Sequence, residues 1–254
     1  HRNRQFFNPQ TRIFMMTYTA DLHIHSRYSR ATSKTLSIPS LATWAGVKGV
    51  DVLSTSDFTH PGWLEEIEIH LKEKGDGLLR LKDPACMASE IPWLDPSNLP
   101  KAPLFILGTE ISSIYKSQGQ VRKIHNLVFL SSLDRVRSFN RRLGQVGNLE
   151  SDGRPILGLD SRDLLEMVLE TDPLGFLIPA HIWTPWFSLF GSKSGFNSLA
   201  DCYRDLSRHI FALETGLSSD PEMNWLWSGL DAYTLVSNSD AHSGEKLARE
   251  ANVF

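Results

Sequence analysis

Two histidines, His23 and His25, stand two residues apart after a β-prone run at residues 17–20, which predicts the end of a strand. Alternate residues of a strand point to the same side, so the two imidazoles are expected to project together. Imidazole is a common metal ligand, and a pair on one strand end converges with little extra loss of chain entropy. A His-x-His pair alone is as readily two unrelated histidines, so its meaning depends on the other potential ligands.

Histidines and acidic residues recur where further strands are predicted. Apolar and β-prone runs predict these strands at residues 50–54, 78–81, 104–107, 111–115, 121–130, 175–181, 211–214 and 233–237. In or just after them stand the candidate ligands Asp57, His60, Glu110, His125, His181, Asp240 and His242. Since the carboxyl ends of parallel strands share one edge of a sheet, one open face lined with metal ligands is the simplest account.

Helical segments separate most of these strands. Helical spacing and capping residues predict them at residues 39–48, 62–74, 133–143, 162–169 and 221–230, and a hairpin turn is expected at residues 117–120. This alternation predicts an α/β fold built on a parallel sheet or barrel. No repeat or linker divides residues 17–254, which are expected to form a single domain. Residues 1–16 are expected to be a leader or tag-like extension, and Met15 is a candidate natural start.

The candidate ligands are too many for a single ion. They are His23, His25, His60, Glu110, His125, His181, Asp240 and His242. A zinc ion normally takes four ligands, so the count predicts two or three divalent ions. Imidazole and carboxylate ligands favour zinc, with manganese or iron as alternatives, and the absence of thiolates from the set argues against a closed structural zinc site.

Such a set of ligands could catalyse phosphoryl transfer. Two neighbouring ions stabilise both the attacking and the leaving oxygen of an in-line phosphoryl displacement. Glu110 or Asp240 could bridge two ions, and these residues with His25 are the expected catalytic set. Asp21 and Asp57 are expected to lie just outside the ligands, where Asp21 would orient a ligand histidine through its second ring nitrogen.

The same residues form an ordered series of short motifs. They are Asp21-Leu22-His23-Ile24-His25-Ser26, Ser56-Asp57, Gly108-Thr109-Glu110, His125-Asn126-Leu127, Pro179-Ala180-His181 and Ser239-Asp240-Ala241-His242. From about residue 19 to the end, this series resembles the motifs of the PHP (polymerase and histidinol phosphatase) domain family. The resemblance implies a distorted seven-stranded β/α barrel with a two- or three-metal phosphoesterase site.

Within that family, four stretches are more similar to the endonuclease Q group of DNA repair nucleases. They are residues 23–34, 57–64, 214–221 and 239–254. Where PHP domains usually carry Thr-Asp-His, Phe58 follows Asp57 here, and the Asp57-x-x-His60 spacing of endonuclease Q keeps His60 among the expected ligands. This likeness implies cleavage of DNA 5′ to deaminated or missing bases. Endonuclease Q continues beyond its PHP domain, so we expect a fragment or a stand-alone relative.

Basic and aromatic side chains near the ligands are candidates for substrate binding. The cations are Arg27, Arg30, Lys34 and Lys123, together with Arg122, and each is either a phosphate contact or a solvated surface charge. The aromatic stretch at residues 182–196 carries Trp183 and Trp186. These rings are expected either to stack on an extruded base or to pack under a lid.

Composition limits the remaining alternatives. The 254 residues carry a net charge of −3, so no global basic field attracts nucleic acid or an anionic membrane. The two cysteines, Cys86 and Cys202, form no paired motif, which suits a reducing, cytoplasmic setting. No apolar run reaches the length of a membrane span. Besides a DNA endonuclease, the sequence allows a small-molecule phosphomonoesterase of the histidinol-phosphatase type or a non-catalytic PHP scaffold.

Overall fold

The computed structural model describes residues 17–254 as a mixed α/β fold. Its strands are β1 (Thr19–Asp21), β2 (Val52–Ser54), β3 (Leu71–Glu73), β4 (Leu78–Leu81), β5 (Leu104–Ser117), β6 (Gln120–Leu130), β7 (Ile156–Leu157), β8 (Phe176–Pro179), β9 (Ala212–Glu214), β10 (Thr234–Val236) and β11 (Asn252–Val253). Its α-helices are α1 (Ile38–Lys48), α2 (Pro61–His70), α3 (Leu133–Leu143), α4 (Ser161–Thr171), α5 (Leu199–Tyr203) and α6 (Pro221–Trp225). The leader expected at residues 1–16 lies outside the described residues.

A nine-stranded mixed sheet forms the centre of the fold. Strands β1, β2 and β5 run parallel, with Leu53 opposite Asp21 on one side and Phe105 on the other. The β5–β6 hairpin is antiparallel, and β6 pairs in turn with β8. Strands β9 and β10 form a separate parallel pair. The predicted α/β class is therefore confirmed.

Two seams separate the β9–β10 pair from the main sheet. At one seam the amide of Ile182, just after β8, donates to the carbonyl of Glu214 at the end of β9 over 3.0 Å. At the other, the amide of His25 donates to the carbonyl of Ala241 over 3.0 Å, beside an isolated parallel bridge between Ile24 and Ala241. Because these seams carry no continuous ladder, the seven-stranded closed barrel is not confirmed.

Most predicted elements are present, but three bounds were wrong. Residues 104–107 and 111–115, predicted as two strands, form the single strand β5, because residues 108–110 keep pairing with β6. Helix α2 ends at His70 instead of continuing to residue 74, since the next three residues pair with β4 as β3. The helix predicted at residues 221–230 divides into α6 and a 3₁₀ turn at residues 228–230.

Buried side chains fix the elements that carry the candidate ligands. Trp63 on α2 is fully buried and donates its indole N–H towards the carbonyls of Thr55 and Ser56, at 3.0 and 2.9 Å. These hydrogen bonds tie α2 to the segment that follows β2 and leads into Asp57. None of the helices within residues 17–254 is long and apolar enough to cross a bilayer.

Candidate metal centre

Seven of the eight predicted ligands lie together in three overlapping groups. Within each group the ligand atoms are all within 4.8 Å of one another. The first group is His23 with His25 and Glu110, the second is Glu110 with His125 and His181, and the third is His25 with Asp240 and His242. The structure therefore gathers residues that are far apart in the sequence into one cluster with shared members.

The first group has the spacing of ligands around one ion. The Nε2 atoms of His23 and His25 lie 3.6 and 3.4 Å from Glu110 Oε2, and 3.5 and 3.2 Å from Asp240 Oδ1. Tetrahedral ligands about 2.0–2.1 Å from zinc are about 3.3 Å apart. Both Nε2 atoms and Asp240 Oδ1 are buried without a hydrogen-bond partner among the described residues. Since unpaired buried polar atoms are costly, these atoms fit a divalent cation between them.

The second group uses the other oxygen of Glu110. Glu110 Oε1 lies 2.7 Å from His125 Nδ1 and 3.2 Å from His181 Nε2, and the two histidine nitrogens are 3.2 Å apart. Because its two oxygens face different sets of histidines, Glu110 could bridge two ions. The spacing again fits nitrogen and oxygen ligands around one cation.

The third group lies nearest the solvent. His242 Nδ1 is 3.6 Å from Asp240 Oδ1, and the His242 ring centroid is 4.6 Å from that of His25. The side chains of His242 and Asp240 are 30% and 31% exposed, whereas His25 is fully buried. This group shares His25 with the first, and Asp240 also faces His23, so it could complete that site or hold a further ion.

Carboxylates behind the histidines fix the orientation of their rings. Glu214 lies 3.0 Å from His23 Nδ1 through one oxygen and accepts the backbone N–H of His181 over 2.8 Å through the other. Asp57 Oδ1 lies 3.4 Å from His25 Nδ1. Such contacts leave each Nε2 free to bind a metal, and they raise the basicity of the imidazole.

Asp21 occupies a different place from the one predicted. Its carboxylate accepts the backbone N–H groups of Ser239 and Ala248, at 3.1 and 2.9 Å, while other carboxylates face the Nδ1 atoms of His23 and His25. Burial raises the pKa of Asp21. Asp21 thus holds the backbone beside Asp240 and does not orient a histidine ring.

Left-handed backbone turns point three of these side chains into the cluster. Asp57, His181 and Asp240 have φ angles of 44°, 30° and 47°. This region is sparsely populated for residues other than glycine, although Asp and His adopt it more readily than most, and it recurs at functional sites. Each turn follows a strand directly or within a few residues, so the strand ends decide where the ligands meet.

The charges in the cluster shift the pKa values of its groups strongly. Burial opposes the charged form of His23, but Glu214, Asp240 and Glu110 raise its pKa well above the ordinary value. Burial also opposes ionisation of Glu110, yet His125, Arg154 and His23 hold its pKa well below the usual range. Burial lowers the pKa of His125 to about 4 despite its contact with Glu110. Near pH 7 these shifts favour ionised Glu110 and neutral His125, the forms that bind a metal, whereas the raised pKa of His23 means that an ion bound there would displace a proton.

His60, the eighth predicted ligand, lies outside the three groups. It is the residue before helix α2, and its ring lies against Tyr28 with centroids 4.2 Å apart. Its Nε2 faces the carbonyl of Glu150 at 3.2 Å. The contacts of this ring are thus with Tyr28 and Glu150, and a ligand role for His60 stays a prediction.

The three basic residues that follow the first motif are paired with the protein itself. Arg27 forms an ion pair of 2.5 Å with Glu66, and Arg30, whose side chain is 74% exposed, pairs with Asp152 over 3.1 Å. The ammonium of Lys34 donates to the carbonyl of Arg27 over 3.4 Å. Arg30 and Lys34 retain enough exposure to meet a phosphate, whereas a nearly buried carboxylate holds Arg27.

The aromatic stretch after β8 presents two tryptophans differently. Trp183 donates its indole N–H to Asn224 over 2.8 Å and packs on Phe190, with ring centroids 5.0 Å apart. Trp186 is 49% exposed, and the ammonium of Lys123 lies 4.9 Å from its ring centroid. Trp183 is thus held by contacts within the protein, whereas the ring of Trp186 is open to solvent beside Lys123.

Two residues of the centre were not predicted. Glu214 contacts His23 and His181, and Arg154 lies 3.1 Å from Glu110 Oε2 through one guanidinium nitrogen. Glu214 ends a predicted strand as several candidate ligands do, which is the signal that could have revealed it. No sequence pattern marks Arg154, because it lies in an irregular stretch between α3 and β7.

Two proteins similar in sequence to this chain are uncharacterised. No family model matches the chain. It is 32% identical over 244 residues to the uncharacterised protein YqxK of Bacillus subtilis, covering 92% of this chain and 57% of that protein. It is 28% identical over 187 residues to the uncharacterised protein MJ0043 of Methanocaldococcus jannaschii, covering 73% and 19%. The chain thus spans little more than half of one relative and a fifth of the other.

Solved structures define the class of fold. The chain has a TM-score of 0.53 to a protein assigned as a metal-dependent phosphoesterase in Bifidobacterium adolescentis, at 16% identity and with 91% of each chain covered. At this identity the match shows a shared fold alone. The fold is therefore one that also occurs in metal-dependent phosphoesterase structures.

A more specific likeness is to PfuEndoQ, a lesion-specific endonuclease of Pyrococcus furiosus. The TM-score is 0.76 and the identity 34%, covering 94% of this chain and 52% of that one. An endonuclease Q structure with a 27-mer duplex, which has an abasic lesion at the active site, gives the same score and identity. The similarity spans nearly all of this chain but only about half of the endonuclease.

Proposed function

We propose that this protein is a metal-dependent phosphodiesterase that cleaves DNA 5′ to a deaminated or missing base. The observation that carries the proposal is Glu110, whose two oxygens face separate groups of histidines at 2.7–3.6 Å. Divalent ions held there would polarise a phosphoryl oxygen and acidify water. The nitrogen and oxygen donors favour zinc, with manganese or iron as alternatives.

The choice of DNA as substrate is supported by the likeness to endonuclease Q. That likeness covers 94% of this chain at 34% identity, and one of the similar structures holds a duplex with an abasic lesion. This chain covers 52% of the solved endonuclease. DNA recognition by the part described here is therefore assigned to side chains around the metal centre.

Lys123 and Trp186 are the best placed of these side chains. Lys123 is two residues from the ligand His125 on β6, and its ammonium lies over the exposed ring of Trp186. A lysine beside the metal centre suits a backbone phosphate, and an exposed indole face suits stacking with an unpaired base. With Arg30 and Lys34, they would form a basic and aromatic border to the cluster.

The direct test is cleavage of defined oligonucleotides. The protein is loaded with zinc or manganese and given duplexes that contain deoxyuridine, hypoxanthine, an abasic site or no lesion, and separately histidinol phosphate. We expect incision of the lesion strands only, and loss of that activity in His25→Ala and Asp240→Ala. His70→Ala is the matched control, because His70 ends α2 and belongs to none of the ligand groups.

Two outcomes would contradict the proposal. Turnover of histidinol phosphate without incision of any oligonucleotide would favour the small-molecule phosphatase. DNA affinity that does not change with salt would contradict a role for the basic border, because each phosphate contact lowers the slope of log affinity against log salt by about 0.9.

A further inference from the structure

We propose that Arg154 binds the phosphoryl group to be cleaved and that residues 150–154 hold its guanidinium at the metal centre. The inference rests on the proposed function and assigns a substrate contact in the same site. Arg154 Nη1 lies 3.1 Å from Glu110 Oε2, the oxygen that also faces His23 and His25. Among the lysines and arginines of residues 17–254, Arg154 is the one that forms an ion pair with a ligand of the centre.

The guanidinium of Arg154 has unused hydrogen-bonding capacity. Within residues 17–254, the bond to Glu110 is the only side-chain hydrogen bond that it donates, whereas a guanidinium carries five N–H donors. The side chain is 24% exposed while Glu110 is 1% exposed, so the guanidinium lies between the buried ligands and the open side of the cluster. Its planar fork matches the geometry of phosphoryl oxygens.

The segment that carries Arg154 is tied to both neighbouring loops. Gly153 donates its N–H to the carbonyl of Tyr28 over 3.0 Å, and its own carbonyl accepts the hydroxyl of Thr59 at 3.3 Å. Asp152, which is 4% exposed, accepts the backbone N–H of Arg154 and pairs with Arg30, both at 3.1 Å. The fold thus fixes the backbone on which the guanidinium stands.

Gly153 allows this segment to approach the centre closely. A Cβ added there would lie 2.5 Å from Asp57 Oδ2 and 2.5 Å from Ser29 Oγ. Asp57 is the carboxylate behind His25, so only a residue without a side chain can bring the segment against the support of a ligand. This close packing places Arg154 at a defined distance from the ligands.

Neutralising Glu110 is the simpler role for an arginine here. Divalent ions in two sites would by themselves offset the charges of Glu110, Asp240, Glu214 and Asp57. With the charge of Glu110 offset by ions, a phosphodiester would supply an anion for the remaining N–H donors of Arg154. The two roles differ in what they predict for ion content and for the binding of a free phosphate.

Calorimetric binding of inorganic phosphate to the metal-loaded full chain separates these roles. We expect Arg154→Ala to weaken phosphate binding at least tenfold while ion content, from elemental analysis, stays unchanged. Arg154→Lys should recover part of the affinity, because an ammonium keeps the charge but loses the fork. Arg208→Ala, an exposed arginine on the 3₁₀ turn before β9, is the matched control and should bind phosphate like the wild type.

Activity provides a second measurement. The kcat for bis(p-nitrophenyl) phosphate should fall about 100–1,000-fold in Arg154→Ala, the usual loss when one donor to a developing negative charge is removed. Millimolar guanidinium should restore part of it, which a merely structural role would not allow.

Unchanged phosphate affinity in Arg154→Ala, loss of bound ions, or a metal-loaded wild type that binds no phosphate would each overturn the assignment. Arginine-dependent phosphate binding without cleavage of any phosphodiester would support it and refute only the proposed function.

Discussion

The substitution Glu214→Gln tests whether one carboxylate supports two metal ions. Glu214 lies 3.0 Å from His23 Nδ1, accepts from the backbone of His181 at 2.8 Å and accepts from Asn238 Nδ2 at 2.8 Å. A glutamine offers a single oxygen acceptor to these three donors, and its NH₂ group must then face a donor. Because His23 and His181 belong to different ligand groups, both sites should weaken.

The expected magnitude follows from the role of such supporting contacts. Removing a carboxylate behind a ligand histidine typically lowers metal affinity about 10–100-fold. That range corresponds to about 1.4–2.7 kcal/mol for each ion, at about 1.4 kcal/mol per tenfold change. By contrast, Asp57 contacts only His25 among the ligands, so Asp57→Asn should weaken the groups that contain His25 and spare Glu110, His125 and His181.

Competition between the protein and a chromophoric chelator for zinc measures the affinity of each site. The wild type, Glu214→Gln, Asp57→Asn and the exposed control Glu222→Gln would be titrated at one pH and salt concentration. Support of two sites by Glu214 is refuted if Glu214→Gln binds zinc with an affinity within a factor of two of the wild type. It is also refuted if Glu214→Gln weakens the same single site as Asp57→Asn.

Further predictions concern stability and substrate discrimination. Removing ions from two sites with a chelator should lower the Tm measured by calorimetry by about 10–20 °C. This magnitude assumes that each ion is present at about 100 times its Kd and contributes about 2.7 kcal/mol. An unchanged Tm would show that no ion supports the fold. Trp63→Phe should lower the free energy of unfolding in urea by about 1–3 kcal/mol, since the carbonyls of Thr55 and Ser56 lose their buried donor; a loss below about 0.5 kcal/mol would be inconsistent with that account. Trp186→Ala should reduce cleavage of lesion-containing DNA about tenfold or more, because base stacking contributes about 1–3 kcal/mol. Hydrolysis of a small aryl phosphate should stay unchanged. Equal losses on both substrates would show that Trp186 acts through packing.

The sequence was sufficient to predict that seven of the eight candidate ligands lie together, because strand ends are local features. Turn-forming residues and alternation locate the end of a strand, and parallel strands bring such ends to one edge. His23, His181 and Asp240 could therefore be placed together before the structure was known. The α/β class followed from the same alternation.

The supporting contacts could not be predicted in this way. Glu214 faces His23 from a strand 191 positions further along the chain, a contact that only the folded protein brings about. His60 was placed among the ligands by its spacing from Asp57, but the direction of its ring depends on where α2 begins. Periodicity carries no information about either feature.

The candidate metal centre lies at the two seams between the β9–β10 pair and the main sheet, so metal binding and local unfolding of these seams should be linked. Each is held by a few hydrogen bonds instead of a continuous ladder, and a candidate ligand or its supporting carboxylate contributes to each, namely His25 at one and Glu214 at the other. Ions bound across them would link segments that the sheet itself connects weakly, so opening either seam would require release of metal. Amide hydrogen exchange at Ile182 and His25 would then report metal occupancy directly, with protection rising as the ions bind.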